Sequence, residues 1–253
     1  MIIFKTPEEI AVMREGGRRL ARILAALRRE VSPGIETAVL DRRARELVAK
    51  EGVRAAFLNY KPAGAIKAFP AALCVSVNEV VVHGVPGTRV IKEGDVVKLD
   101  MGVIHGGFYL DSAVTVGAGK TSKDVERLLG GTRRALEDAI KMAKPGHTLG
   151  GIGYAVSRRI EREKLGIVKA LTGHGIGRNL HEDPHVLNVG RRGEGEPLRV
   201  GMVLAIEPMV ALGDGDVRQL KDDSFVTADN SPSAHFEHTV AITEKGNIVL
   251  TEE

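Results

Sequence analysis

The sequence predicts an α+β fold in which two similar αβ halves share a mainly antiparallel sheet, with the helices outside. A pair of helical patterns divided by a Pro-Gly dipeptide occurs twice along the chain. Each pair precedes β-branched runs interrupted by Gly and Pro, which favour strands. We therefore expect one catalytic domain over 1–253, with an N-terminal half of about 1–119 and a C-terminal half of about 120–253.

The first helical pair lies within 6–52 and is divided by Pro33-Gly34, and the second lies within 121–166 and is divided by Pro145-Gly146. A Thr opens each segment and precedes acidic residues, which suit the first turn of a helix. The two segments therefore predict four amphipathic helices in matching order.

The strands that follow also match between the halves. Gly94–Asp100 and Gly201–Glu207 each begin with Gly, continue as an apolar strand and end in a carboxylate. A site between two such halves would receive one set of ligands from each.

The stretch 96–116 predicts a hairpin that carries two aspartates. If His105-Gly106 form a two-residue loop, Asp100 lies directly opposite Asp111, with Cβ atoms about 4.5–5.5 Å apart. Two ionised carboxylates facing each other in an apolar sheet repel and lose hydration, so a cation is expected between them. The alternative is a pair of solvated aspartates on an edge strand.

Two glutamates and a histidine are further candidates for binding the cation expected between the two aspartates. Glu207 ends an apolar run and precedes Pro208, which cannot continue a central ladder, and Glu237 lies in another β-branched pattern. His174 stands among three alternating glycines, which we expect to bring the backbone close to whatever the histidine binds. A lone histidine is more often structural, but the glycines and nearby His181 favour a ligand.

The charge of these candidates indicates two divalent cations. The carboxylates that carry it are those of Asp100, Asp111, Glu207 and Glu237. Their four negative charges would be balanced by two metal ions but not by one. An oxygen-rich set with one imidazole suits Mn, Fe(II) or Co, with Zn possible, and paired metals commonly activate water for hydrolysis.

Composition favours a reducing compartment. Cys74 is the only cysteine, so no disulfide can form within the chain. The sequence lacks a signal-peptide pattern and any run of the ~18–20 apolar residues that a membrane span needs, so we expect a cytoplasmic protein. The net charge of +3 is mildly basic, and the Arg-rich segments favour solvated helix faces over a polyanionic partner such as ribosomal RNA.

Five segments in order resemble the type I methionine aminopeptidases, which belong to peptidase family M24. The matching segments are NEVVVHGVP (78–86), KLDMGV with the following YLDSA, TGHGIGRNLHEDPHVLN (172–188), AIEPMV (205–210) and SAHFEHT (233–239). The resemblance implies the pita-bread fold, with two αβ halves related by a pseudo-twofold axis. It also implies a metal-dependent hydrolase that removes the initiator methionine from proteins and peptides.

The resemblance assigns roles to individual residues. It implies that the metal ligands are Asp100, Asp111, His174, Glu207 and Glu237. Asp111 and Glu237 would bridge the two ions, and Glu207 would act as general base. His83 and His181 would lie beside the metals, contact the substrate and stabilise the charge that develops during hydrolysis.

The resemblance identifies fewer residues for the pocket that would hold the methionine side chain. Cys74 and Phe69 occupy positions that resemble pocket residues of the family, although core packing is an equal alternative. The family often has a tryptophan in the loop corresponding to 221–229, where Phe225 is the candidate substitute. Ile66 stands where an aromatic residue is common.

Two other functions share the fold. An X-Pro aminopeptidase or prolidase would keep the five ligands, but such enzymes usually carry an extra N-terminal domain, whereas here the first helical pattern begins near residue 6. A non-catalytic binding protein would usually have lost ligands. We expect a monomer that acts on the N-terminal methionine of nascent chains, with transient ribosome association as a further hypothesis.

Overall fold

The computed structural model describes residues 1–62 and 67–253. The predicted helices are confirmed: α1 Pro7–Glu30, α2 Thr37–Glu51, α3 Lys123–Met142 and α4 Leu149–Glu163. The strands are β1 Arg54–Ala55, β2 Cys74–Val77, β3 Val80–Val82, β4 Val96–His105, β5 Phe108–Gly117, β6 Gly166–Ile167, β7 Gly173–Gly175, β8 Glu182–Val186, β9 Val203–Ile206, β10 Met209–Ala211, β11 Val217–Gln219, β12 Phe225–Thr227, β13 Ser233–His235, β14 Glu237–Thr243 and β15 Gly246–Val249.

Local capping explains where the helix pairs begin. Thr6 Oγ1 accepts from the Glu9 backbone N–H (3.3 Å), and the Glu9 carboxylate accepts from the Thr6 N–H (3.0 Å), which is a capping box. In the second half the cap is Ser122, one residue after the Thr that opens the segment, and its Oγ accepts from the Val125 N–H (3.3 Å).

A nine-stranded antiparallel sheet joins the halves in the order β1-β4-β5-β14-β9-β7-β8, with β2 also on β4 and β15 also on β14. The hairpin β4–β5 of the first half thus corresponds to the pair β9–β14 of the second, and β5 meets β14 in the middle. The predicted α+β class is confirmed. The half boundary near 119–120 falls in the connection from β5 to α3, and the division into halves stays a prediction.

Side-chain hydroxyls join β5 to β14 in addition to direct strand pairing. Ser112 Oγ donates to the Glu237 carbonyl (2.7 Å). Thr239 Oγ1 donates to the Asp111 carbonyl (2.8 Å) and accepts from the Asp111 N–H (3.0 Å). The backbone of the two central strands is therefore satisfied across the boundary between halves.

The predicted register of the β4–β5 hairpin is wrong. Its loop is Gly106-Gly107, and His105 pairs with Phe108, so Asp111 lies opposite Gly102 and not opposite Asp100. Both loop residues have positive φ (56° and 82°), which glycine adopts without strain and which a two-residue hairpin turn requires. The pairing moves by two residues, so both aspartates still share one face as diagonal neighbours.

The helices cover the opposite face of the sheet. Leu99, Met101 and Val103 alternate with the aspartate-bearing positions of β4, and they pack in one apolar cluster with Leu20 and Leu27 of α1. A second cluster lies between α3, α4 and the strands of the second half. In the described part of the chain, no helix has the length and apolar character that a membrane crossing needs.

Candidate metal centre

The face of the sheet away from the helices forms one wall of a cavity of about 1010 Å³. Each of the nine predicted site residues lines this cavity: Phe69, Cys74, His83, Asp100, Asp111, His174, His181, Glu207 and Glu237. The structure therefore brings together residues that span most of the sequence.

The candidate ligands come from both halves. They are Asp100 in β4, Asp111 in β5, His174 in β7, Glu207 directly after β9 and Glu237 at the start of β14. The ligand atoms of Asp111, His174 and Glu237 lie within 4.8 Å of one another, and His174 Nε2 lies 3.6 Å from Glu207 Oε1. This spacing allows one ion to contact several of these groups at once.

Hydrogen bonding prepares His174 as a ligand. Its Nδ1 lies 2.8 Å from the Gly175 carbonyl, to which only a protonated Nδ1 can donate. This bond assigns the tautomer in which Nε2 carries a lone pair facing the carboxylates. Burial lowers the pKa of His174 to about 4, so the ring is neutral near pH 7.

Burial and neighbouring carboxylates raise the pKa values of the acidic candidate ligands. Burial, with a smaller contribution from Glu207, raises the pKa of Asp100 to about 7 even though His235 opposes the shift. Burial also raises the pKa values of Asp111, Glu207 and Glu237 well above their ordinary range, and neighbouring carboxylates add to this effect for Asp111 and Glu237. A divalent cation would remove the repulsion that disfavours ionisation.

A carboxylate oxygen without a hydrogen-bond partner also indicates a metal site. Among the described residues, the buried Glu237 Oε1 has no hydrogen-bond partner. Buried carboxylate oxygens are normally paired or bound to metal. The donor set is therefore suited to divalent metal.

His235 is a residue of the centre that the sequence analysis missed. Its Nε2 lies 3.4 Å from Glu207 Oε2 and 4.0 Å from Glu237 Oε2, and neither ring nitrogen has a hydrogen-bond partner within the described ranges. Thr115 Oγ1 accepts from the His235 N–H (2.9 Å) and donates to its carbonyl (2.6 Å). The sequence signal that could have identified His235 is its two-residue spacing from Glu237, because residues two apart in an extended chain lie on the same face.

Tyr60 was also missed. Its hydroxyl lies 2.9 Å from His181 Nδ1, and the ring of His181 lies against that of His174 with centroids 4.4 Å apart. Burial, followed by the neighbouring His174 and His83, lowers the pKa of His181 to about 3. Tyr60 follows β1 in a loop without periodicity, so no sequence pattern pointed to it.

His83 lies across the cavity in a left-handed backbone conformation (φ 59°). Its Nδ1 donates to the Asp223 carbonyl (3.4 Å), and burial lowers its pKa. Phe225, the candidate substitute for the loop tryptophan, packs edge-on against the His83 ring at 5.9 Å. Phe225 thus supports His83, while Asp223 of the same loop lines the cavity.

Cys74 and Phe69 both line the cavity and contact the core. Cys74 begins β2 opposite Asp100, and burial raises the pKa of its thiol well above the ordinary value, so it stays neutral. Phe69 packs edge-on against Phe57 at 6.4 Å. The pocket and core interpretations are therefore compatible for both. Ile66 lies outside the described residues.

The glycines around His174 make room for neighbouring parts of the chain. A Cβ added to Gly173 would overlap the Ala205 carbonyl, one added to Gly175 would overlap the Asp183 carbonyl, and one added to Gly177 would overlap the Lys5 side chain. Their expected role toward a ligand of the histidine stays a prediction.

Comparison with known proteins places this chain among metallopeptidases. A model described as metallopeptidase family M24 matches residues 11–244. Methionine aminopeptidase 1 of Bacillus subtilis is 43% identical over 252 residues, which cover 99% of both chains. The crystal structure of a methionine aminopeptidase from Thermotoga maritima superposes with a TM-score of 0.94 at 44% identity, covering 100% of both chains.

More distant relatives share the fold alone. The prolidase of Pyrococcus furiosus superposes with a TM-score of 0.76 at 22% identity, covering 99% of this chain and 66% of that one. The predicted pita-bread fold is confirmed by these matches.

Proposed function

This chain belongs to metallopeptidase family M24, and from that membership we propose that it acts as a methionine aminopeptidase, removing the N-terminal methionine from proteins and peptides. The observation that carries the proposal is the convergence of four carboxylates and a histidine in one cavity of a chain that matches methionine aminopeptidases over its full length.

We propose two divalent ions as cofactors. Their ligands would be Asp100, Asp111, His174, Glu207 and Glu237, with Asp111 and Glu237 shared between the ions. The mutual proximity of Asp111, His174 and Glu237 and the four acidic charges support this assignment. Mn, Fe(II) and Co suit such donors, with Zn possible. When bound, the metals would polarise the scissile carbonyl and lower the pKa of water toward ~7.

Glu207 is the proposed general base. Its carboxylate lies between His174 and His235, 3.6 and 3.4 Å from their Nε2 atoms. An ionised carboxylate in this position can accept a proton from a water molecule held among the candidate ligands. It can then deliver that proton to the leaving amine.

His181 is the proposed group that stabilises the developing oxyanion. His83 donates through Nδ1 to the Asp223 carbonyl, so its neutral ring presents Nε2 as an acceptor, and we propose it as a contact for an N–H group of the substrate. When Tyr60 donates its O–H to His181 Nδ1, the other ring nitrogen carries the proton. That Nε2–H can donate to the carbonyl oxygen as negative charge accumulates there. Since the pKa of His181 is lowered to about 3, it acts as a neutral donor.

Cys74 and Phe69 are the proposed contacts for the methionine side chain. A neutral thiol and an aromatic ring form a polarisable, apolar wall, which suits a thioether. The monomeric state, ribosome association and a cytoplasmic location stay predictions from the sequence.

The test is release of product from Met-Ala-Ser and Ala-Pro-Ala peptides, with Mn or Co and with EDTA. We expect free methionine from the first peptide alone, only with metal, and a loss of activity in Glu207→Ala of at least ~100-fold. Cleavage of the proline peptide instead would favour an X-Pro aminopeptidase. Cleavage of neither would favour a non-catalytic binding protein.

A further inference from the structure

The orientation of His181 depends on how its loop is anchored. His181 ends the segment 176–181, which joins β7 to β8. Its ring contacts Tyr60 and His174 inside the cavity. The start of the loop is held by a hydrogen bond from the Ile176 N–H to the Val203 carbonyl of β9 (3.1 Å), and its end is held by side chains that the mechanism does not use.

A buried ion pair directly follows His181. Glu182 Oε2 accepts from Lys5 Nζ (2.6 Å), and Glu182 Oε1 accepts from the Asn179 N–H within the loop (3.0 Å). The side chains of Lys5 and Glu182 are only 2% and 3% exposed. Lys5 Nζ also donates to the Ile3 carbonyl (3.0 Å), so both charges have several partners.

The backbone around Lys5 connects this pair to the strands of the metal centre. The Lys5 N–H donates to the Gly201 carbonyl (2.8 Å) just before β9, which leads to Glu207. Gly177 allows Lys5 to reach the loop, because a Cβ there would lie 2.7 Å from Nζ and overlap Cε. The Gly177 carbonyl accepts from the N–H of Tyr109 in β5 (2.8 Å), two residues before Asp111.

We propose that Lys5 and Glu182 are positioning residues for His181. The proposal rests on the function proposed above. The pair ties the loop to the segment around Lys5, whose backbone N–H is bound to the Gly201 carbonyl before β9, and thereby fixes the imidazole relative to the scissile carbonyl. Loss of either partner leaves an unpaired buried charge, which the loop relieves by moving toward water. A displacement of about 1 Å at a catalytic group lowers turnover on the order of 100-fold.

The first test compares Lys5→Met and Glu182→Gln with the wild-type protein. On Met-Ala-Ser with Mn, we expect kcat to fall on the order of 10- to 100-fold, with KM and calorimetric Mn affinity unchanged. The matched control is Glu9→Gln, which removes the charge that pairs with Arg178 of the same loop (2.7 Å) and leaves the Arg178 guanidinium over the Phe108 ring (3.9 Å). Its kcat should stay near wild type, because an exposed pair holds a loop weakly.

The second test separates positioning from general structural support. In a His181→Ala background, Lys5→Met should lower kcat no further, because the residue through which it acts is absent. A further loss there, or wild-type kcat in both single variants, would overturn the proposal. Absence of methionine release by the wild-type protein would instead overturn the proposed function.

A third variant covers the case in which a single substitution prevents folding. Lys5→Met combined with Glu182→Gln removes both buried charges, so the protein should fold. We expect its kcat to lie below wild type but above that of either single variant, because the ion pair is lost while no unpaired buried charge remains to displace the loop. Wild-type turnover in this variant would contradict the proposal.

Discussion

At the scale of single residues, His235 shows how a group next to a metal centre can act without being a ligand. Its ring contacts the carboxylates of Glu207 and Glu237, and Thr115 fixes its backbone on both sides. We expect an imidazole at this position to orient the two candidate ligands once metal is bound, as outer groups of metal sites generally do.

We therefore expect His235→Ala to weaken binding of Mn by about 10- to 100-fold, measured by calorimetry on protein treated with EDTA. The control is His238→Ala, which removes a buried histidine from the other side of β14, where its Nδ1 contacts Thr251 Oγ1 (2.9 Å). Equal losses in the two variants would mean that His235 acts only by packing.

At the scale of elements, the first helix of each half begins at a different kind of capping residue, although the two sequences are similar. Thr6 caps α1, whereas Ser122 and not the preceding Thr121 caps α3. We expect Ser122→Ala to lower the free energy of unfolding by about 1 kcal/mol and Thr121→Ala to lower it less, measured by urea denaturation. The opposite ranking would show that Thr121 is the functional cap.

The elements also show which features the sequence could predict. The four helices were predictable because caps and 3.6-residue periodicity are local properties. The β4–β5 register was not, because His105-Gly106 and Gly106-Gly107 both offer two-residue loops and only backbone φ values distinguish them.

Long-range contacts explain the remaining gaps in the prediction. The contact of Gly177 with Lys5 joins residues that are 172 apart in sequence and close only in the fold. Tyr60 reaches His181 across another long separation. The four acidic candidates were conspicuous in the sequence because acidic residues are rare in apolar strands, whereas the assignment of all five residues as metal ligands follows from the family resemblance and stays a prediction.

At the scale of the whole molecule, the buried carboxyls make stability depend on pH and metal together. Burial raises the pKa of Asp100 to about 7 and raises the pKa values of Asp111, Glu207 and Glu237 well above their ordinary range. A carboxyl with a raised folded pKa keeps its proton after the unfolded chain has lost it, so stability falls as pH rises through the folded pKa.

The buried histidines act in the opposite sense at lower pH. Burial lowers the pKa of His174 to about 4, so its contribution to stability is lost as pH falls below the ordinary value of 6.5 and is complete above it. Above that value the raised pKa of Asp100, about 7, makes stability fall as the pH rises through the neutral range.

In that range we expect the Tm of EDTA-treated protein to fall with rising pH, and the increase in Tm on adding Mn to grow, because metal binding requires deprotonated carboxylates. Thermal unfolding followed by circular dichroism, with and without metal, measures both slopes. A metal-induced increase that does not vary with pH would contradict this account.

The side-chain hydrogen bonds between β5 and β14 also bear on what happens if the two halves are separated. Ser112 and Thr239 satisfy backbone groups that would otherwise lie along an open strand edge. An uncovered edge of this kind is a template for pairing with other chains. Proteolytic cleavage between β5 and α3 should therefore leave two fragments that stay associated, and their separation should lead to aggregation.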